Sequence, residues 1–158
     1  MGAVSEGVCD VGGTVRPVGR GEEDLHGVDP LVGGEDGAAQ ALFASVGCAS
    51  CHTPSMNTGP DPVAAHSNRT AHLYSDLLLH DLGSLNDRIA QGDAGPNEMK
   101  TPPLWGVRAK TVFLHDGRAA TLDAAILDHA GEGEAARQAY SKLDLLQRQE
   151  LIAFLRTL

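Results

Sequence analysis

Two cysteines and a histidine stand close together about a third of the way along the chain. Cys48 and Cys51 are three positions apart and His52 follows directly, in the sequence Cys-Ala-Ser-Cys-His. Two thiols at this spacing can add to the two vinyl groups of one haem, and the adjacent imidazole can then ligate the iron. The same pair of cysteines could also form a redox disulfide or contribute to a zinc site.

The residues around the motif favour the haem interpretation. A thioredoxin-like disulfide would follow a β-strand in a βαβ unit, whereas the pattern before Cys48 predicts a helix. A zinc site would need a second pair of cysteines or histidines at short spacing, and the sequence has none. We therefore predict one covalently attached haem c with His52 as the proximal iron ligand.

A second axial ligand would have to come from elsewhere in the chain. His129 follows Leu122 and Ile126 on one predicted helix face, which would direct its ring toward the apolar interior. A core histidine satisfied by a backbone carbonyl fits that pattern equally well. Met99 is the next candidate, in a polar segment that predicts a loop. The full set of candidates is Met56, Met99, His66, His72, His80, His115 and His129.

A short amphipathic helix is predicted directly before the motif. Asp36 or Gly37 can cap it, and apolar residues then recur at three- and four-residue spacing as far as Gly47, a residue type common at helix ends. Residues 53–70 are rich in Pro, Asn, Ser and Gly and predict a long loop. The motif is therefore expected to lie between a helix and a loop.

Two further helices are predicted in the C-terminal part. Thr121 is expected to cap one of them, with Asp123 in its first turn and Gly131 at its end. Ser141 is expected to begin the last helix, with Asp144 completing a capping-box-like start. The apolar stripe of that helix is Leu151, Phe154, Leu155 and Leu158. No segment alternates convincingly between apolar and polar residues, so the expected fold class is all-α with long loops.

Length, charge and composition limit the classes of function. The chain has 158 residues, a formal charge of −9, and is 42% hydrophobic but only 4% aromatic. No apolar run approaches the roughly 20 residues of a membrane span. Basic residues are few and scattered, so no positive stripe for nucleic acid is expected. A haem would supply the flat apolar surface that so few aromatic side chains cannot.

The charge and the glycines divide the chain into two predicted parts. Residues 1–36 hold eight acidic residues against Arg16 and Arg20, with nine glycines and no aromatic residue. Such a segment buries little apolar surface, so we expect a flexible acidic arm, followed by a haem domain over residues 37–158. The arm has no basic start or apolar stretch typical of a signal peptide. Cys9, in the arm, is the one cysteine without a predicted role.

Five segments carry a resemblance to a known family. They are residues 47–54 (GCASCHTP), 74–83 (YSDLLLHDLG), 100–107 (KTPPLWGV), 113–118 (FLHDGR) and 121–129 (TLDAAILDH). Together they resemble the C-terminal haem domain of bacterial di-haem oxidoreductases, the superfamily of the di-haem cytochrome c peroxidases. Within it they are most similar to the branch described as thiol oxidoreductases with two haem-c sites. The resemblance covers about three quarters of the chain and implies a cytochrome c-like fold around one covalent haem.

The resemblance implies roles for three of the histidines. In such proteins the distal ligand of this haem lies fourteen positions after the histidine of an HDG motif, and fourteen positions after His115 is His129. His129 thereby becomes the preferred second ligand of the iron. His115 would lie near the haem without ligating it, or would simply close the turn at residues 116–117. His80 would be a neighbour of the haem or a structural residue.

Two arginines are candidates for contact with the haem propionates. Arg118 and Arg108 could pair with these carboxylates, because a guanidinium binds a carboxylate through two hydrogen bonds. An exposed arginine with no such role is the alternative at both positions.

Ligation by two histidines would favour electron transfer over catalysis. His52 and His129 together would leave no position on the iron for a substrate. In the di-haem relatives the substrate meets a second, open haem in an N-terminal domain, so this chain resembles half of that architecture. The alternative is peroxidase or thiol oxidoreductase activity, which would need an open haem site or a second haem domain. A haem-based sensor is a third class.

The chemistry of haem attachment also indicates a compartment and a partner. Haem is attached to such motifs after export, so we expect a periplasmic protein despite the lack of a signal peptide at Met1. An electron-transfer domain would exchange electrons with a redox partner protein, whose identity the sequence does not indicate. A membrane span and a nucleic-acid partner are not expected.

Overall fold

The computed structural model describes residues 36–158. Four α-helices are present there: α1 (Asp36–Ser45), α2 (Leu122–Leu127), α3 (Glu134–Ser141) and α4 (Leu145–Leu155). Four short strands form two antiparallel pairs: β1 (Met56–Asn57) with β2 (Thr70–Ala71), and β3 (Leu79–Asp81) with β4 (Glu98–Lys100). The arm predicted over residues 1–36 lies outside the described residues except for Asp36, and so does Cys9.

The predicted helix before the motif is confirmed as α1. Gly47 follows it with φ +96°, in the left-handed region that glycine tolerates best. A Cβ at this position would lie 3.6 Å from the Cβ of Ala136, an ordinary contact, so the backbone conformation and not the space is what favours glycine here. The chain then makes one 3-10 turn over Cys48–Ser50, and this turn carries the motif.

The cap of α2 is confirmed, but the helix is shorter than predicted. The Thr121 hydroxyl accepts a hydrogen bond from the backbone N–H of Ala124, and Asp123 lies in the first turn. The helix ends at Leu127, so His129 lies beyond it and not on its face. Gly131, which was expected to end the helix, lies four residues beyond it with φ +56° and packs its backbone directly against Asp81.

The prediction that the last helix begins at Ser141 is wrong. Ser141 ends α3, a helix not expected from the sequence, and its hydroxyl donates to the carbonyl of Gln138. Asp144 is the true N-cap of α4. Its carboxylate accepts from the Gln147 N–H, and the Gln147 side chain accepts from the Asp144 N–H, which forms a complete capping box.

The core lies between the helices and the segments that carry the motif. The rings of Phe43, Tyr74 and Phe154 contact one another with centroids 5.6–5.9 Å apart. This cluster joins α1 and α4 to the segment after β2. Tyr140, fully buried, links α3 to α2 by donating a 2.7 Å hydrogen bond to Asp123. The buried cluster comprises Phe43, Val46, Val107, Leu122, Tyr140, Leu151, Phe154 and Leu155.

The short strands were not predicted from the sequence. Each has two or three residues, too few for an alternating pattern to be visible. The pairing of β3 with β4 sets His80 opposite Met99. Within residues 36–158, no helix has the length and apolar character needed to cross a membrane.

Candidate haem site

The two cysteines of the motif are half-buried free thiols in the 3-10 turn and just after it. Burial raises the pKa of Cys48 to about 11. Burial also raises the pKa of Cys51, and the nearby carboxylates of Asp76 and Glu132 act in the same direction. Both sulfurs are therefore protonated at neutral pH, and nothing in the described part of the chain bonds them covalently.

His52 is oriented by one hydrogen bond to the backbone. Its Nδ1–H donates to the carbonyl oxygen of Tyr74 at 2.9 Å. A carbonyl can only accept, so this contact fixes the tautomer and leaves the Nε2 lone pair free. Burial, and secondarily the nearby His129 and His80, lowers the pKa of His52 and keeps the ring neutral. A neutral imidazole with its other nitrogen held by a carbonyl is the usual state of a metal-ligating histidine.

The segment that carries the Tyr74 carbonyl is fastened to the motif by backbone hydrogen bonds. Ser75 N–H donates to the Thr53 carbonyl at 2.9 Å, and Asp76 N–H donates to the Cys51 carbonyl at 2.8 Å. Tyr74 itself has φ +51°, a conformation that costs free energy for a residue other than glycine. The neighbouring bonds hold the backbone in this conformation, which directs the Tyr74 carbonyl at His52.

His129 lies close to His52 and has the same hydrogen-bonding arrangement. Its Nδ1–H donates to the carbonyl of Ala125 in α2 at 2.7 Å, so its Nε2 is also free to ligate. The ring is half-buried, and a Cβ on Gly133 would lie 3.3 Å from its Cδ2 atom. The lack of a side chain at Gly133 therefore leaves space for the His129 ring. The sequence left two alternatives for His129, a core histidine bonded to a carbonyl and an iron ligand. The structure is compatible with both, because the Ala125 carbonyl accepts from Nδ1 and leaves Nε2 available.

His80 bridges two carboxylates beside the motif. Its Nε2–H donates to Asp76 at 2.9 Å, and its Nδ1–H donates to Glu132 at 2.8 Å. These bonds raise the pKa of His80, and the contact with His80 lowers the pKa of Glu132. Sequence reasoning placed His80 near the haem but did not identify Asp76 or Glu132. Asp76 and His80 both occur in the 74–83 segment, whereas Glu132 is distant in sequence and gave no signal.

Cys51, Asp76 and His80 also form a group that could bind a metal ion. Their ligand atoms lie within 4.8 Å of one another. The group differs from the haem arrangement, because it omits Cys48 and leaves His52 unused. Both nitrogens of His80 are already engaged by carboxylates. The donor set of Cys48, Cys51 and His52 therefore fits a covalently attached haem better than this cluster fits a free ion.

Within residues 36–158, the other predicted site residues make no hydrogen bond or ion pair with His52, His80 or His129. His115 is exposed in the turn between Phe113 and Ala119, and a hydrogen bond from Arg118 lowers the pKa of the neighbouring Asp116. The Arg118 side chain donates to Asp116 at 2.6 Å. Arg108 donates to the Thr157 carbonyl at 3.0 Å.

Three of the alternative ligands are also located by the structure. Met99 is half-buried in β4, not in a loop as predicted. His66 and His72 are exposed.

A known protein family and a curated protein are similar in sequence to this chain. Residues 33–158 match the family model described as "Di-haem oxidoreductase, putative peroxidase". The chain is 26% identical over 147 residues to "Methylamine utilization protein MauG" of Methylorubrum extorquens, over 84% of this chain and 36% of that protein. No solved structure matches.

The chain belongs to the di-haem oxidoreductase family, whose model covers most of its length. The resemblance inferred from the sequence is thus confirmed, and a haem-containing redox protein is the class to which the chain belongs. The chain spans about a third of the length of the curated relative that it matches.

Proposed function

We propose that this chain transfers electrons through a single haem c that is attached to Cys48 and Cys51. His52 would be the proximal ligand of the iron and His129 the distal one. When bound, such a haem supplies an iron that accepts and releases one electron at a time. The residues of the chain attach it, orient its ligands and limit the access of water.

The arrangement of the two imidazoles carries this proposal. His52 and His129 each donate Nδ1–H to a backbone carbonyl, at 2.9 and 2.7 Å, and no described residue hydrogen-bonds to either Nε2. A core histidine whose only role is its hydrogen bond to a carbonyl requires no second histidine nearby. Two neighbouring rings in the same state support a shared iron. Both axial positions would then be filled by the chain, which favours electron relay over substrate chemistry.

The fold supports a mainly α, cytochrome c-like domain over residues 37–158. Helices α1, α3 and α4 supply most of the buried cluster. The strands have only two or three residues each. We propose that the acidic residues 1–36 form an arm outside this domain. Arg118 and His115 would lie at the haem periphery, where Arg118 could exchange its contact with Asp116 for a propionate.

A periplasmic location and a protein redox partner follow from the same chemistry. The thiols of a c-type motif are joined to haem outside the cytoplasm. Free thiols would oxidise in that compartment. The partner would donate or accept single electrons. The proposal includes neither a membrane span nor a nucleic-acid partner.

Peroxidase or thiol oxidoreductase activity is the second candidate, and the description of the family favours it. It would require His129 to leave the iron, or a second haem domain to supply an open site. This chain matches only 36% of the curated relative, so such a domain would have room elsewhere in a full-length protein.

The spin state of the haem-loaded chain tests the proposal. We expect a low-spin ferric spectrum that added cyanide or peroxide leaves unchanged, because two imidazoles occupy the iron. His129→Ala should become high-spin and bind cyanide. Met99→Ala is the matched control, since Met99 is the alternative ligand, and it should retain the wild-type spectrum. A high-spin wild type, or loss of ligation in Met99→Ala alone, would refute ligation by two histidines.

A further inference from the structure

We propose that His80 is a positioning residue that fastens the segment carrying the distal histidine to the segment that orients the proximal one. The bridge runs from Asp76 through His80 to Glu132. The inference rests on the proposed ligation by His52 and His129, and it adds a device that keeps both ligands in place.

The proximal side of the bridge is attached to the haem motif. Asp76 N–H donates to the Cys51 carbonyl at 2.8 Å, so Asp76 moves with the motif. Its Oδ2 accepts from His80 Nε2 at 2.9 Å, and its Oδ1 accepts from the Leu78 N–H at 3.0 Å. The side chains of Asp76 and His80 are only 14% and 15% exposed. Solvent therefore weakens this ionic hydrogen bond little.

The distal side of the bridge is attached to the segment that follows His129. Glu132 lies three residues after that histidine, and its two oxygens are both used. Oε2 accepts from His80 Nδ1 at 2.8 Å, and Oε1 accepts from the Asp81 N–H at 2.9 Å. The carboxylate thus accepts hydrogen bonds from both the side chain of His80 and the backbone of β3.

Two glycines allow close packing on either side of Glu132. A Cβ on Gly131 would overlap the Asp81 carbonyl oxygen, and a Cβ on Gly133 would lie 3.1 Å from the Cβ of His129. Residues 131–133 are therefore fitted between β3 and His129. A displacement of this segment would be transmitted to the His129 ring.

His80 can serve both sides only as an imidazolium. Each of its ring nitrogens faces a carboxylate oxygen, and a carboxylate accepts hydrogen bonds but donates none. The charged ring thus makes two ionic hydrogen bonds, which are shorter and more directional than neutral ones. Loss of Glu132 would leave the Asp76 contact intact and release only the distal segment.

The test compares three variants of the haem-loaded chain. Glu132→Ala removes both contacts of the carboxylate, and Glu132→Gln retains one oxygen acceptor without the charge. Glu134→Ala is the matched control, because Glu134 lies in the same region but bonds to Arg137 and Gln138. The measurements are the low-spin fraction of the ferric haem, the affinity for cyanide, and the melting temperature.

We expect the high-spin fraction and cyanide binding to rise several-fold in Glu132→Ala and less in Glu132→Gln. Glu134→Ala should match the wild type. Free imidazole should restore the low-spin spectrum of Glu132→Ala, because it replaces the ligand that has been released. A merely structural role would lower the melting temperature without changing the spin state.

Three outcomes would overturn the inference. The first is a wild-type spin state in folded Glu132→Ala, and the second is an equal change in Glu134→Ala. The third is a wild type without the low-spin signature of two histidines, which refutes the proposed ligation before any variant is compared.

Discussion

At the scale of single residues, the two proposed iron ligands are defined by what their other nitrogens contact. His52 donates its Nδ1–H to the carbonyl of Tyr74, and His129 donates its Nδ1–H to the carbonyl of Ala125. The sequence could indicate which histidines matter, but it could not indicate these acceptors, since any residue has a carbonyl. The positive φ of Tyr74 is likewise invisible in a residue type that seldom adopts it.

The charge of His80 should make stability depend on pH. Its hydrogen bonds to Glu132 and Asp76 raise its pKa, while the neighbouring Cys51 is neutral and His52 is a weaker, opposing neighbour. A pKa raised by folding gives a stabilisation that is complete below the unfolded value of 6.5. It is lost as the pH rises through the higher folded value.

We therefore expect His80→Gln to lower the melting temperature most in mildly acidic solution. The deficit should be about 2–4 °C at about pH 6 and should be smaller at about pH 9, because the wild-type ring loses its proton as the pH rises. Thermal unfolding followed by circular dichroism at both pH values measures it. His66→Gln, at an exposed histidine, is the control. A deficit that is equal at both pH values would contradict a charged His80.

At the scale of elements, the helix boundaries show where sequence patterns are informative. The caps Thr121 and Asp144 are residue types that favour this position, and the first was assigned correctly. Ser141 is an equally favourable type and was wrongly preferred to Asp144. The choice is decided by Gln147, whose side chain completes the capping box, and by α3, which already occupies Ser141.

Removal of the two candidate caps should distinguish them. Asp144→Ala should reduce the free energy of unfolding by about 1 kcal/mol, because it leaves N-terminal N–H groups of α4 without an acceptor. Ser141→Ala should have a clearly smaller effect, since its hydroxyl only donates to a carbonyl at the end of α3. Urea unfolding of both variants measures the difference. The reverse order would contradict the observed start of α4.

At the scale of the whole molecule, the sequence predicted the family and the attachment motif but not the full site. Cys48, Cys51 and His52 lie within five consecutive residues, so a local pattern predicts haem attachment. The bridge through His80 joins residues more than fifty positions apart, which no local pattern reveals. The strands are also too short for a local pattern to reveal them. Their pairing is set by tertiary contacts and not by an alternation of apolar and polar residues.

The printed chain contains one haem motif, although its family is named for two haems. It spans about a third of the curated relative, so an electron-relay domain that works beside a second haem domain is consistent with the matched share. The activity of any longer protein would depend on that second domain. The described residues include the two proposed attachment cysteines and both proposed ligands for one haem.

Covalent attachment of one haem is the central claim, and the mass of the intact chain tests it most directly. After production with the haem-attachment machinery of the periplasm, we expect the mass to increase by one haem, with a pyridine haemochrome spectrum of the c type. Cys48→Ala combined with Cys51→Ala should remove the added mass. A haem that acidified organic solvent extracts, or a chain that carries zinc and no haem, would contradict the account.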